Sequence, residues 1–133
     1  MRCGSGSAAA RGGKVLIPAF AVGRTQEILY ELHELARARR IPEIPIFIDS
    51  PLANKATQVF RNHADEMENG QDLAKAFASS FVRSTESVED SKALNRFKGF
   101  HIVISASGMA EAGRIRHHLR KRLWQKSTTV LLV

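Results

Sequence analysis

Apolar residues in this chain come in short, nearly continuous runs, and this feature most constrains the fold. Residues 15–17, 44–48, 101–105 and 128–133 each have the composition of a buried strand. Strands that are apolar on both faces need cover on both sides, as in a parallel sheet between helices. The sequence therefore predicts a Rossmann-like three-layer α/β sandwich with a mainly parallel sheet of about four strands, flanked by helices.

Helical periodicity fills much of the sequence between these runs. Residues 24–40, after Gly23, place apolar side chains on one face, namely Ile28, Leu32, Leu35 and Ala36. Residues 52–67 form the next predicted helix, and its expected buried side chains are Leu52, Ala56, Val59, Phe60 and Ala64. Residues 68–90 are the least regular segment, with Phe77 and Phe81 as expected anchors. Helices over 89–97 and 114–125 complete the pattern.

The length of 133 residues suits one domain with a hydrophobic core. Residues 1–11 form a Gly- and Ser-containing leader of linker composition, so the domain is expected over 12–133. The single cysteine, Cys3, provides neither a disulfide framework nor a cysteine metal cage, which favours a reducing, cytoplasmic location. No apolar run reaches the length of about 18 residues that a membrane span needs, so no membrane partner is expected.

Positive charge is concentrated toward the C-terminus. The chain has a formal net charge of +7, and residues 112–133 contain no acidic residue but six basic ones, Arg114, Arg116, Arg120, Lys121, Arg122 and Lys126. This segment indicates a polyanionic ligand or an acidic partner surface. It is equally typical of a solvated helix face.

Three strand-to-helix turns are the places where a parallel sheet binds ligands. Residues 18–24 follow the first strand, 49–51 the second and 105–109 the third. The third turn places two hydroxyls and a glycine where they can surround an anionic oxygen, although the same residue types simply make turns. Asp49 is either a catalytic acid or a helix cap, and its position before Ser50 and Pro51 favours the cap.

No self-contained catalytic site is evident. The histidines do not form a zinc-binding cluster, and adjacent His117 and His118 point in different directions on a helix, so packing or surface roles are expected for them. There is no nucleophile elbow and no phosphate loop ending in Gly-Lys-Ser/Thr. A nucleotide-binding Rossmann domain is the weakest interpretation, because no Gly-x-Gly-x-x-Gly follows a strand.

Four sequence blocks go beyond these general patterns. They are GGKVLIPAFAVGRTQE at 12–27, PIFIDSPLA at 45–53, SKALN at 91–95, and IVISASGM at 102–109 with Gly113-Arg114 and HHL at 117–119. In order and spacing they resemble the β-CASP domain of the metallo-β-lactamase-fold RNA-processing nucleases. The resemblance is to the prokaryotic branch, which is related to the endonuclease of pre-mRNA 3′-end cleavage.

The resemblance implies a part in zinc-dependent RNA hydrolysis. In that family a metallo-β-lactamase lobe binds two zinc ions through a His-x-His-x-Asp-His cluster, and the β-CASP lobe covers them. That cluster does not occur in this sequence, so the resemblance implies a partial β-CASP domain that holds no cofactor and is inactive alone. Single-stranded RNA and the missing metallo-β-lactamase lobe are the implied partners. The implied RNA-contacting residues are Ser105, Ser107, Gly108, Met109 and, more weakly, Phe20 and Arg24.

A non-catalytic binding or self-association module is the alternative function. Apolar surface that normally packs on another lobe tends to be reburied by association, which predicts a homo-oligomer. The strand over 128–133 is expected to present an unpaired edge if the strand order places it on the outside.

Overall fold

A computed structural model of the chain describes residues 13–68, 70–97, 99–106, 108 and 113–132. The strands are β1 (Lys14–Pro18), β2 (Ile46–Ile48), β3 (Val82–Ser84), β4 (His101–Ser105) and β5 (Thr128–Val130). The helices are α1 (Arg24–Arg37), α2 (Pro51–Asn62), α3 (Gly70–Phe77), α4 (Val88–Ala93) and α5 (Arg114–Arg122), with 3₁₀ turns at Ala64–Glu66 and Leu94–Arg96. None of these helices has the length and apolar character that a bilayer-spanning helix requires.

The five strands form one parallel sheet in the order β3-β2-β4-β1-β5. β4 lies at the centre, where Val103 is paired with Leu16 of β1 and with Phe47 of β2. The predicted α/β class is therefore confirmed, with five parallel strands instead of about four. β5 pairs only with β1 and forms one edge of the described sheet.

Alternate strand residues pack against helices on opposite faces of the sheet. One face carries α1 and α3, and its buried residues include Val15, Ile17, Ile28, Leu32, Ile48, Phe77, Ile102 and Ile104. The other face carries α4, the following 3₁₀ turn and α5, and its buried residues are Leu16, Phe47, Leu94, Val103 and Ile115. These two clusters make the three-layer sandwich that strands without polar alternation require.

The predicted buried face of α2 is confirmed in part: Phe60 packs against the core, and Ala56 and Ala64 are half-buried, but two of the five expected side chains face solvent. Leu52 and Val59 are 61% and 56% exposed, whereas Ala53 and Thr57 are buried. The apolar residues of α2 are spread over much of its circumference, so their periodicity alone does not determine which side of the helix faces the core. A polar contact accompanies this orientation, since the buried Gln26 Nε2 on α1 donates a hydrogen bond to Thr57 Oγ1 at 3.0 Å.

The segment 68–90 is more regular than the sequence predicts. It contains α3 and β3, and Phe77 is buried as expected while Phe81 is half-buried. β3 is an edge strand of three residues with exposed Arg83 and Ser84, so it lacks the apolar run that marks the central strands. β3 forms through its pairing with the buried β2, although its own sequence does not indicate a strand.

Candidate functional site

The carboxyl ends of β2, β4 and β1 lie side by side, so the turns that follow them meet at one edge of the sheet, named here the carboxyl edge. Backbone hydrogen bonds join these ends. The Asp49 N–H donates to the Ile104 carbonyl at 2.9 Å, and the Ala19 N–H donates to the Ser105 carbonyl at 3.1 Å. Ligands of open α/β sheets bind at such an edge, where helices begin.

Asp49 is the centre of a buried polar cluster at this edge, and its side chain is completely inaccessible to solvent. Oδ1 accepts hydrogen bonds from Thr85 Oγ1 at 2.6 Å and from Arg114 Nη1 at 2.8 Å. Oδ2 accepts from Ser91 Oγ at 2.5 Å and from His118 Nε2 at 2.5 Å. One carboxylate therefore joins the segment after β3 to helices α4 and α5.

This environment determines the ionisation of Asp49. Burial by itself raises the pKa of a carboxyl group. Hydrogen bonds from His118, Ser91, Thr85 and Arg114 outweigh burial and hold the pKa of Asp49 well below its ordinary value of 3.8. Asp49 is thus a stable anion, the opposite of what a catalytic acid needs near neutral pH.

The capping role predicted for Asp49 is wrong. The N-cap of α2 is Ser50, whose side chain accepts a hydrogen bond from the Ala53 N–H at 3.2 Å, and Pro51 occupies the first helical position. In the chain, Asp49 directly precedes this cap. Its partners Arg114 and His118 are 65 and 69 residues away in sequence, so local pattern gives no indication of them.

His118, for which a packing or surface role is expected, is buried and also takes part in the Asp49 cluster, which the sequence does not predict. Its side chain is fully buried, and Nδ1 makes no hydrogen bond within the described part of the chain. The adjacent His117 lies on a half-buried position of the same helix. The two side chains therefore occupy different environments, as their neighbouring helical positions predict.

The described residues do not fit a zinc site. No three His, Cys, Asp or Glu side chains within these ranges are arranged to share a metal ion. Both oxygens of Asp49 already accept two hydrogen bonds each, and His118 Nε2 donates one of them. His118 Nδ1 leaves a single candidate ligand atom, whereas zinc takes three or four protein ligands.

The turn between β1 and α1 is held by polar side chains of α1. The Thr25 hydroxyl donates to the Phe20 carbonyl at 2.8 Å, and Gln26 Nε2 donates to the Ala21 carbonyl at 3.2 Å. Gln26 Oε1 accepts from the Gly23 N–H at 2.6 Å, and Gly23 has a φ of 88°, a conformation that favours glycine. The backbone that carries Phe20 and Arg24 is therefore fixed by Thr25 and Gln26.

Phe20 and Arg24 are exposed on this fixed turn. The Phe20 residue is 55% exposed, and its ring covers Gly108, where an added Cβ would lie 3.2 Å from two ring atoms. Arg24 Nη1 contacts Glu27 at 3.1 Å in an exposed pair. Such pairs contribute little to stability, so the guanidinium remains available to an anion. The structure thus brings together Phe20 and Gly108 of the predicted set.

The remaining predicted contact residues differ in their placement. Ser105 is buried, and its hydroxyl donates to the Asp49 carbonyl at 2.8 Å, so contact with a phosphate would require exchange of this bond. Ser107 and Met109 lie outside the described residues. RNA contact by all six residues of the set stays a prediction.

Large apolar side chains are exposed along the same edge. Five follow the carboxyl ends of strands and are more than half exposed: Phe20, Val22, Leu52, Val88 and Leu132. A group of this kind around one edge of a sheet is typical of a surface that another part of a protein covers.

The fold and this edge define an open parallel α/β domain of the kind that presents a ligand or partner surface at the ends of its strands. Residues 25–133 match the model of the Beta-Casp domain family, so the chain belongs to that family. The resemblance seen in the sequence blocks is thereby confirmed.

Named relatives support the same assignment. Ribonuclease TTHA0252 of Thermus thermophilus is 39% identical over 128 residues, which are 92% of this chain and 29% of that protein. Endoribonuclease YSH1 of Kluyveromyces lactis is 31% identical over 92% of this chain and 17% of its own length. Transcription termination factor FttA of Methanosarcina mazei is 29% identical over 92% of this chain and 20% of its own. The chain thus spans less than a third of each of these relatives.

Proposed function

We propose that this chain is part of a zinc-dependent RNA-processing ribonuclease, in which it forms one wall of the RNA cleft. The observation that carries the proposal is the Beta-Casp family match together with similarity to a ribonuclease and an endoribonuclease. The zinc ligands are expected outside this chain, because the His-x-His-x-Asp-His cluster that the family resemblance implies does not occur in its sequence. Zinc would supply the activated water for phosphodiester hydrolysis in the whole enzyme.

The carboxyl edge is the wall that we assign to RNA. The exposed Phe20 ring is a platform on which a base can stack, which suits single strands of any sequence. Arg24, four residues further along the same turn, presents a guanidinium that can bind a phosphate through two hydrogen bonds. Gly108 leaves the space that the Phe20 ring occupies. Ser105, Ser107 and Met109 belong to the same proposed wall.

The test is the affinity of the chain for a labelled single-stranded RNA, measured by fluorescence anisotropy at low salt. We expect Arg24→Ala and Phe20→Ala each to weaken binding about tenfold, because one loses a phosphate contact and the other a stacking platform. Arg37→Ala is the matched control. Arg37 pairs with Glu34 at 2.8 Å on the same helix with the same spacing as the Arg24–Glu27 pair, but at the other end.

Equal effects of Arg24→Ala and Arg37→Ala would contradict the assignment of this edge to RNA. An equal loss of affinity would show that RNA binding depends only on the net charge of the chain. Unchanged affinity in both variants and in Phe20→Ala would place any RNA contact elsewhere.

The apolar side chains at the carboxyl edge support a second part of the proposal, that this edge also packs against the metallo-β-lactamase lobe. Without that lobe we expect the chain to self-associate through the same edge. Leu52→Ser should shift light-scattering mass toward the monomer, whereas Val59→Ser, a change at an equally exposed position of α2, should not. A monomer at both low and high salt would contradict self-association.

A further inference from the structure

The basic helix α5 has two sides with different surroundings. Its inward side carries the buried Ile115, His118 and Arg122, together with the half-buried Arg114 that binds Asp49. Its outward side carries Arg116, Arg120 and Lys121, which are all exposed. Only the outward cations are accessible to a partner.

The outward cations form no ion pair within the described ranges. The ion pairs found there involve residues other than Arg116, Arg120 and Lys121. Residues 112–133 contain no acidic residue. Arg116 and Arg120 are four positions apart, and like charges at this spacing destabilise a helix. A surface that keeps such uncompensated repulsion suits a polyanionic ligand.

A shallow depression lies between these side chains. It has a volume of about 360 Å³ and is lined by Gly113, Arg116, His117 and Arg120. Burial lowers the pKa of His117, and the neighbouring His118, Lys121 and Lys92 lower it further, whereas the more distant carboxylate of Asp49 opposes this shift. The depression thus offers two guanidinium groups to a phosphate oxygen in a locally positive field.

An exposed tryptophan lies just beyond the helix. Trp124 is the second residue after the end of α5, is 77% exposed, and lies four positions beyond Arg120 in sequence, as Arg120 lies four beyond Arg116. We name Arg116, Arg120 and Trp124 the outer stripe. An acidic protein surface is the competing partner, since it would pair with the arginines and bury the indole ring, and the test below includes it. Single-stranded nucleic acid satisfies both, since phosphates bind arginine and bases stack on tryptophan.

We propose that the outer stripe binds a segment of single-stranded RNA outside the cleft. The inference rests on the proposed RNA substrate but uses a separate surface. The stripe begins beside Gly113, near the carboxyl edge where Arg114 binds Asp49. It ends near the start of β4, where Arg122 contacts His101 at 3.2 Å. RNA that leaves the cleft can therefore follow the outside of α5 to the opposite end of the sheet.

Trp124 itself provides the test, because it is the single tryptophan of the chain. A short oligouridylate should quench its intrinsic fluorescence in a saturable manner that weakens as salt is raised. The double variant Arg116→Gln/Arg120→Gln should weaken this binding about tenfold through the loss of two phosphate contacts. The control, Arg40→Gln/Arg61→Gln, removes the same charge at two other exposed positions and should change affinity less than about twofold.

The two proposals fail separately. Loss of quenching in Arg116→Gln/Arg120→Gln, but not in Arg40→Gln/Arg61→Gln, supports the stripe whatever the effect of Phe20→Ala and Arg24→Ala on the cleft. RNA binding that responds to Arg24→Ala, without quenching of Trp124, supports the cleft and overturns the stripe. Tighter binding of poly-glutamate than of oligouridylate would also overturn it, in favour of an acidic protein partner. Thermal unfolding by circular dichroism checks that the variants remain folded.

Discussion

The inner and outer sides of α5 carry arginines with opposite environments. On the inner side, Arg114 donates to Asp49 and to the Glu86 carbonyl, and Arg122 is 1% exposed beside His101. On the outer side, Arg116 and Arg120 are exposed. The difference shows that the basic residues of one segment can have separate roles. Some of its charges hold the fold together, and only the others are available to a ligand.

The strongest test of the inner side is removal of its anion. We expect Asp49→Ala to lower the free energy of unfolding by about 3–5 kcal/mol, because Arg114 and three other donors lose a buried acceptor. Urea denaturation followed by circular dichroism measures this loss. Asp65→Ala, at an exposed carboxylate, is the control and should stay within about 0.5 kcal/mol.

A loss below about 1 kcal/mol for Asp49→Ala would contradict the central role of this carboxylate in joining α4 and α5.

The second test uses the titration of His101, the β4 residue that Arg122 contacts at the C-terminal end of α5. Its Nδ1 donates to the Gly99 carbonyl and Nε2 accepts from Arg122, so the ring must be neutral in the folded chain. Burial and the positive charge of Arg122 lower the pKa of His101 from 6.5 to about 4. The unfolded chain therefore takes up a proton between these values while the folded chain does not. Stability should fall by about 3 kcal/mol as the pH drops from 6.5 to 4.

Urea denaturation across this pH range measures the slope. His101→Asn should flatten it, because the titrating group is gone, whereas His63→Asn at an exposed position should leave it unchanged. The Asp49 contribution lies at lower pH, since its lowered pKa makes stability decline only as the pH falls below about 4. A slope that survives in His101→Asn would contradict a neutral buried imidazole.

The third test sets the two sides against each other. Arg114→Ala should cost about 2 kcal/mol of unfolding free energy, because it removes hydrogen bonds to a charged carboxylate and to the Glu86 carbonyl. Arg116→Ala, two residues away, should cost less than about 0.5 kcal/mol. Thermal or urea unfolding of the two variants measures these losses. Similar losses of unfolding free energy would contradict different structural roles for the two sides of α5.

The smallest expected effect has the opposite sign. Arg116→Glu replaces repulsion of Arg120 by attraction at the same spacing, so it should stabilise the chain by about 0.3–0.5 kcal/mol. The same variant should abolish the quenching of Trp124 by oligouridylate. A more stable protein that binds less RNA would indicate that the outer charges serve binding, whereas destabilisation would indicate an unrecognised structural partner of Arg116.

The central strands and α1 could be predicted because their signals are local. β1, β2 and β4 are apolar runs, and Ile28 and Leu32 recur at helical spacing on a truly buried face. β3 has no such run, and its pairing with β2 depends on residues about 36 positions earlier in the chain. On α2 the predicted burial of Leu52 and Val59 is wrong, and the helix buries Thr57 instead, which accepts a hydrogen bond from the distant Gln26.

The polar cluster at the carboxyl edge could not be predicted from local pattern. Asp49 has the appearance of a helix cap, and its partners approach from three distant segments. One signal was nevertheless present, since Asp49, Ser91, Arg114 and His118 all lie in the sequence blocks that carry the family resemblance. In this chain those blocks contain residues that meet in space, which neither composition nor periodicity reveals.

The most direct test of the central claim, that this chain binds single-stranded RNA through its arginines, is a salt series. Anisotropy of a labelled RNA should give a dissociation constant whose logarithm rises linearly with the logarithm of salt concentration. The slope should correspond to several neutralised phosphates, at about 0.7 per phosphate for a single strand. Binding that is independent of salt, or no binding at low salt, would contradict the claim.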